Sequence, residues 1–210
     1  MAKSWDYDWL KQLGLDKMSQ SFTLEPSYAP DSIKNLVNYP EPCPLLYIYF
    51  AKEAKIAIIL CKHPSKDYCL ILWDTAKDTF IKGQWLRKGR IAPQRAQISH
   101  NGLYWRYILK RCEDNPWPHL YEIISKPPYF TAISLRQQDR GGNLIKGHKP
   151  TDQTWSNLSL INGQMGTLAN THGSFKIFAD KGQILKDGQV ILDVVGDQFM
   201  KVLAPYPPAT

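Results

Sequence analysis

From Leu45 onward the chain alternates between short runs of β-branched and aromatic residues and short polar breaks rich in Gly, Asn, Asp and Pro. Residues 46–50 (Leu-Tyr-Ile-Tyr-Phe) and 56–61 (Ile-Ala-Ile-Ile-Leu-Cys) flank a polar loop of hairpin length. A turn over 63–67 leads into 68–73 (Tyr-Cys-Leu-Ile-Leu-Trp), and a tight polar turn leads on to Thr79-Phe80-Ile81. Within 97–109, Asn101-Gly102 sits between strand residues, the strongest short-range hairpin signal in the sequence. Strands are expected at 120–124 and 129–135, on either side of Pro127-Pro128, followed by a long loop through Gly141-Gly142 and 146–150. Later runs at 174–178, 183–185, 190–195 and 199–203 are joined by Asp180-Lys181-Gly182, Lys186-Asp187-Gly188 and Gly196-Asp197. Gly163-Gln164-Met165-Gly166 reads as turn material.

This grammar predicts a mainly β protein, an antiparallel β-meander with propeller-like or curved sheets. A closed propeller would repeat at a nearly fixed period at least four times, and no such period is present. Before Leu45 the pattern changes. Residues 4–13 place Trp5, Trp9, Leu10 and Leu13 on one side of a short helix, with Asp6 and Asp8 near its positive end and Gly14 as a stop. Pro26, Pro30, Pro40, Pro42 and Pro44 then preclude a long regular element. The expected organisation is an N-terminal helix and proline-rich connector over 1–44 packed on the body, a β-rich domain over 45–204, and a frayed tail over 205–210.

At 210 residues, 43% hydrophobic and 12% aromatic, the chain can bury a core without metals or disulfides. Cys43, Cys61, Cys69 and Cys112 lack the close spacing of zinc sites and read as reduced thiols in strands. No run is long and apolar enough to span a bilayer, and Met1-Ala2-Lys3-Ser4-Trp5 does not open a signal peptide. The expected location is cytoplasmic, with no membrane partner.

The net charge of +7 is concentrated. Residues 61–126 hold twelve Lys or Arg against six Asp or Glu, and no acidic residue lies between Asp78 and Glu113. Lys82, Arg87, Lys88, Arg90, Arg95, Arg106, Lys110 and Arg111 fill that gap, interleaved with Trp85, Tyr104, Trp105 and Tyr107. Such a segment creates a local positive field. Trp85, Arg87, Lys88, Arg90, Arg95 and Arg106 are the candidate partner-binding residues; the opposing reading points the aromatics into the core and leaves the charges merely solvated.

Signs of catalysis are few. The histidines, His63, His100, His119, His148 and His172, fall in no metal-binding spacing, and nucleophile-elbow, phosphate-loop and dinucleotide motifs are missing. Asp74 and Asp78 bracket Thr75-Ala76-Lys77 as tight-turn residues do. No catalytic residue, metal or cofactor is assigned.

Several motifs together resemble a family of uncharacterised bacterial proteins: His63-Pro64-Ser65-Lys66, Leu72-Trp73-Asp74-Thr75, Gly83-Gln84-Trp85, Lys88-Gly89-Arg90-Ile91, Ser99-His100-Asn101-Gly102 and Pro127-Pro128-Tyr129-Phe130-Thr131-Ala132. The likeness spans about a third of the chain and departs from the family pattern where a Trp-Gly-Gly-rich segment is reduced to Gly141-Gly142. It implies a β fold and a bacterial origin; no activity is attached to the family. The leading expectation is therefore a non-enzymatic binding protein for an acidic protein partner, with an immunity protein that neutralises a cognate toxin as one instance. The alternatives are a nucleic-acid-binding β protein using the basic 82–111 face and an enzyme whose site is assembled from distant loops.

Overall fold

A computed structural model of the chain describes residues 19–25, 35–37, 39–87, 89–111, 119–138, 144–146 and 154–196. The expected N-terminal helix over 4–13, Lys88, Cys112, His148, the strand at 199–203 and the tail over 205–210 lie outside the described residues. The strands run β1 (Ser21–Leu24), β2 (Leu45–Phe50), β3 (Ile56–Lys62), β4 (Tyr68–Asp74), β5 (Thr79–Leu86), β6 (Arg90–Ile91), β7 (Gln97–Ser99), β8 (Trp105–Arg111) and β9 (His119–Ser125). They continue through β10 (Ala132–Gln138), β11 (Leu144–Lys146), β12 (Trp155–Ser156), β13 (Leu160–Ile161), β14 (Gln164–Asn170), β15 (Gly173–Asp180), β16 (Gln183–Lys186) and β17 (Gln189–Asp193). Among the described residues all strand pairings are antiparallel.

Three sheets result, none of them closed. The middle sheet has the order β13-β2-β3-β4-β5; one outer sheet runs β11-β10-β9-β8-β7-β12, with β6 also on β8; the other runs β1-β14-β15-β16-β17. Each holds a meander of consecutive strands, β2–β5, β7–β11 and β14–β17, because pairing between sequence neighbours is favoured. The last two hairpins close through Lys181-Gly182 and Asp187-Gly188, where both residues have positive φ. That is the primed turn geometry whose twist suits a two-residue hairpin.

The continuous apolar runs of β3 and β4 follow from their position between two layers. Ile58, Leu60, Tyr68, Leu70 and Leu72 pack with Ile98, Trp105, Tyr107 and Ile123 of the first outer sheet. Their neighbours Ala57, Ile59, Cys61, Cys69, Ile71 and Trp73 pack with Leu168, Ile177, Ile184 and Leu192 of the second. Successive side chains point to opposite faces, so a strand covered on both sides is apolar at every position. Cys61 and Cys69 are free, buried thiols in these strands, whereas the free Cys43 is only partly buried and lies outside them.

Several segments differ from the sequence-based expectation. Residues 21–24, placed within the expected N-terminal helix and proline-rich connector over 1–44, form β1, which pairs with β14 in the register Ser21↔Ala169 to Leu24↔Gly166. The four residues close an edge that would otherwise leave backbone groups unpaired. Gln164-Met165-Gly166, read as turn material, instead opens β14; the turn is confined to the residues before it. The strand beginning at Thr79 likewise runs on to Leu86 and carries Trp85.

The connector is tied to the second outer sheet. Leu36 packs on Met165, Phe178 and Leu185, and the Val37 amide donates to Gln183 Oε1 at 3.0 Å. Asp193 completes the attachment: Oδ2 accepts from Tyr39 Oη at 2.6 Å and Gln183 Nε2 at 2.7 Å, and Oδ1 from the amides of Val195 at 3.0 Å and Gly196 at 2.6 Å. Burial pushes the Asp193 pKa up, but these four donors outweigh it and hold the carboxyl below its ordinary value. A depressed carboxyl stabilises the fold above its unfolded value of 3.8, and that contribution is lost as pH falls through the folded value. Asp193→Asn is therefore expected to lower stability at pH 7 by about 1 kcal/mol after allowance for solvent screening. In urea titrations the gap to wild type should close at strongly acid pH; a gap independent of pH would mean that the charge is not what anchors the connector.

Candidate functional site

The outward face of the first outer sheet follows from the alternation in β8. Trp105, Tyr107 and Leu109 point into the core, so Arg106, Ile108 and Lys110 point away from it. Cross-strand register extends this face to Arg90 opposite Lys110, Glu122 opposite Ile108 and Arg136 opposite Glu122. Arg90, Lys110, Arg106 and Arg136 thus share one face with a single facing carboxylate among the described residues of these strands, Glu122.

The candidate residues divide into two groups. Arg106 is engaged within the fold: it hydrogen-bonds Gln97 Oε1, its guanidinium lies 4.8 Å from the Trp155 ring centre, and its Nη1 is 3.7 Å from Glu122 Oε1. Arg136, nine-tenths buried, approaches the other Glu122 oxygen at 3.9 Å. Trp85 is half-buried against the second core, with its ring centre 4.6 Å from that of His63. Trp105 and Tyr107 are core residues stacked on each other at 4.3 Å, so the inward reading holds for both.

Arg87, Arg90 and Arg95 form the second group, and all three are exposed. They lie along the connection from β5 to β7, in which the 3-10 turn Pro93–Arg95 separates β6 from β7. β6 and β7 both pair with β8, so this connection runs along one flank of a single strand. Arg90 directly faces Lys110, a like-charged cross-strand pair that costs stability when nothing compensates it. Sequence reasoning counted Lys110 as a charge without recognising it as the partner across the sheet; the register supplies that relation.

Several other titratable side chains are engaged within the fold. Asp74 Oδ1 accepts from the amides of Ala76 at 2.9 Å and Lys77 at 3.2 Å, which is turn chemistry. Asp78 instead joins two layers, accepting from Trp73 Nε1 at 3.2 Å and Lys186 Nζ at 2.6 Å. Lys55 Nζ donates to His172 Nε2 at 2.9 Å. His100 Nδ1 lies 3.8 Å from Glu53 Oε1, an ion-pair separation too long for a hydrogen bond, and Glu53 is largely exposed. No helix among the described residues is long and apolar enough to cross a membrane. A scan against protein-family models, a search of curated proteins and a search of solved structures each found no match, so any functional reading of this chain rests on its own geometry.

Proposed function

We propose that the chain is a non-catalytic binding protein that docks an acidic protein partner on the edge carrying Arg87, Arg90 and Arg95. The observation that carries this reading is the register pair Arg90↔Lys110, flanked by exposed arginines. Two cations held face to face raise the local potential, and an opposing carboxylate relieves the repulsion on docking while steering the encounter. Neutralisation of a toxin by covering its active site, the task of an immunity protein, asks for such a complementary surface and no chemistry on the neutralising chain. A cytoplasmic setting in a bacterial cell, in keeping with the motif resemblance, belongs to the same proposal.

The test is the triple charge reversal Arg87→Glu, Arg90→Glu and Arg95→Glu, compared with wild type in affinity capture and in denaturant unfolding. Loss of an acidic partner protein is expected. The unfolding midpoint should stay the same or rise, because Arg90→Glu turns a repulsive cross-strand pair into an attractive one. An identical set of captured partners for the two proteins would remove the proposal. Steeply salt-dependent binding of RNA or DNA that disappears in the triple variant would instead assign the edge to phosphate recognition.

A further inference from the structure

Cys61 and Cys69 face each other directly across β3 and β4, both side chains turned into the second core. The pair stands one row in from the mouth of the hairpin, where Lys62 faces Tyr68 and the turn over 63–67 closes the loop. His63 and Trp85, both partly exposed, cover that end, and Cys69 also faces Trp85 in the register of β4 with β5. The Cys61 Sγ lies 3.4 Å from His63 Nε2.

We infer that Cys61 and Cys69 are a modification site, a thiol pair that a small-molecule disulfide converts reversibly into an intramolecular disulfide. Directly opposed residues in an antiparallel pair have Cβ atoms about 4.5–5.5 Å apart, and a disulfide requires roughly 3.5–4.5 Å. The adjustment needed is therefore about 1 Å, small enough to make and large enough to leave the bond easily reduced. In the first step Cys61 passes its proton to His63 Nε2, and the thiolate attacks one sulfur of the oxidant, forming a mixed disulfide and expelling one thiolate. In the second, Cys69 gives up its proton and attacks the Cys61 sulfur, forming the Cys61–Cys69 bond and expelling the other. Two protein thiols are oxidised, one disulfide is reduced to two thiols, and the two protons end on the expelled thiolates. Burial raises the pKa of both cysteines, that of Cys69 to about 12, so the closed hairpin rests as the dithiol and reacts when its 62–68 end opens.

The test uses the full-length chain carrying Cys43→Ser and Cys112→Ser, incubated with oxidised glutathione under native conditions and then acid-quenched. Loss of two hydrogens in the intact mass and a Cys61–Cys69 linked peptide are expected, both reversed by dithiothreitol. Adding Cys69→Ala should stop the reaction at a glutathione adduct on Cys61. Adding His63→Ala should slow adduct formation several-fold at an unchanged unfolding midpoint. The inference is overturned if both thiols survive native incubation and react only in denaturant, or if Cys61 is glutathionylated but never linked to Cys69.

Discussion

Ile58→Asp and Ile59→Asp are each expected to abolish the folded state, although the two side chains point in opposite directions. Ile58 is sealed against the first outer sheet and Ile59 against the second, and neither is accessible to solvent. A carboxylate at either position would be buried without a partner, a cost of several kcal/mol. Native stability totals only about 5–15 kcal/mol. In a two-layer protein one of two successive strand residues would face water and accept the change. The control is Ile81→Asp on β5, whose side chain is 36% exposed and should tolerate a charge with a modest loss. Far-UV circular dichroism and urea unfolding would report the outcome. A cooperatively folded Ile58→Asp protein with a normal midpoint would mean that the first outer sheet does not cover the middle one.

Gly83→Ala is expected to destabilise by about 3 kcal/mol, near the upper end of what overpacking usually costs. A Cβ at this position would stand 2.0 Å from the Pro128 carbonyl oxygen and 2.8 Å from that of Leu70. Both obstacles are backbone, so neither can rotate away. Gly83 and Gln84 together oppose Leu70, a bulge in β5, and the loop between β9 and β10 is fastened there. Gln84 donates its amide to Pro128 O at 2.9 Å, and its Oε1 accepts from the amides of Phe130 at 2.7 Å and Thr131 at 3.0 Å. The same loop positions the Phe130 ring 5.7 Å from that of Trp105 and the Phe130 carbonyl as acceptor for Tyr107 Oη at 2.8 Å. Displacing it should therefore loosen the core between two layers as well as the edge. Thermal unfolding would show a fall of about 6–12 °C for a domain of this size. An unchanged midpoint would show that the loop yields without loss.

Much of this architecture was legible from the pattern of side chains. The hairpins β3–β4, β7–β8, β15–β16 and β16–β17 fall where apolar runs meet Pro-Ser-Lys, Asn-Gly, Lys-Gly and Asp-Gly turns, which fix register locally, and β2–β3 falls where two such runs flank the polar loop 51–55. Layering was less visible, although the unbroken runs at 56–61 and 68–73 already carry it: a strand with no polar position has no wet face. β1 escaped because Ser21-Phe22-Thr23-Leu24 is short and its partner lies at 166–169, a relation no local window contains. β14 escaped because its glycines read as punctuation. At the candidate edge, the charge asymmetry was visible and the division of labour was not. Arg106, bound to Glu122 and Trp155, and Arg90, which faces another cation, lie on the same face, and only the cross-strand register tells them apart. The opposition of Cys61 and Cys69 was within reach, since both stand four residues from Ser65 at the centre of the predicted turn.

The doubly covered middle sheet also has a consequence for biosynthesis. On the ribosome β2 to β5 emerge ahead of all the covering strands but β1, and their local pairing lets them assemble quickly. The covers arrive later, one over 90–156 and the other, apart from β1, from 164 onward. A nascent chain arrested between those points would display one oily slab to solvent, a surface for chaperones or for misassembly with neighbouring chains.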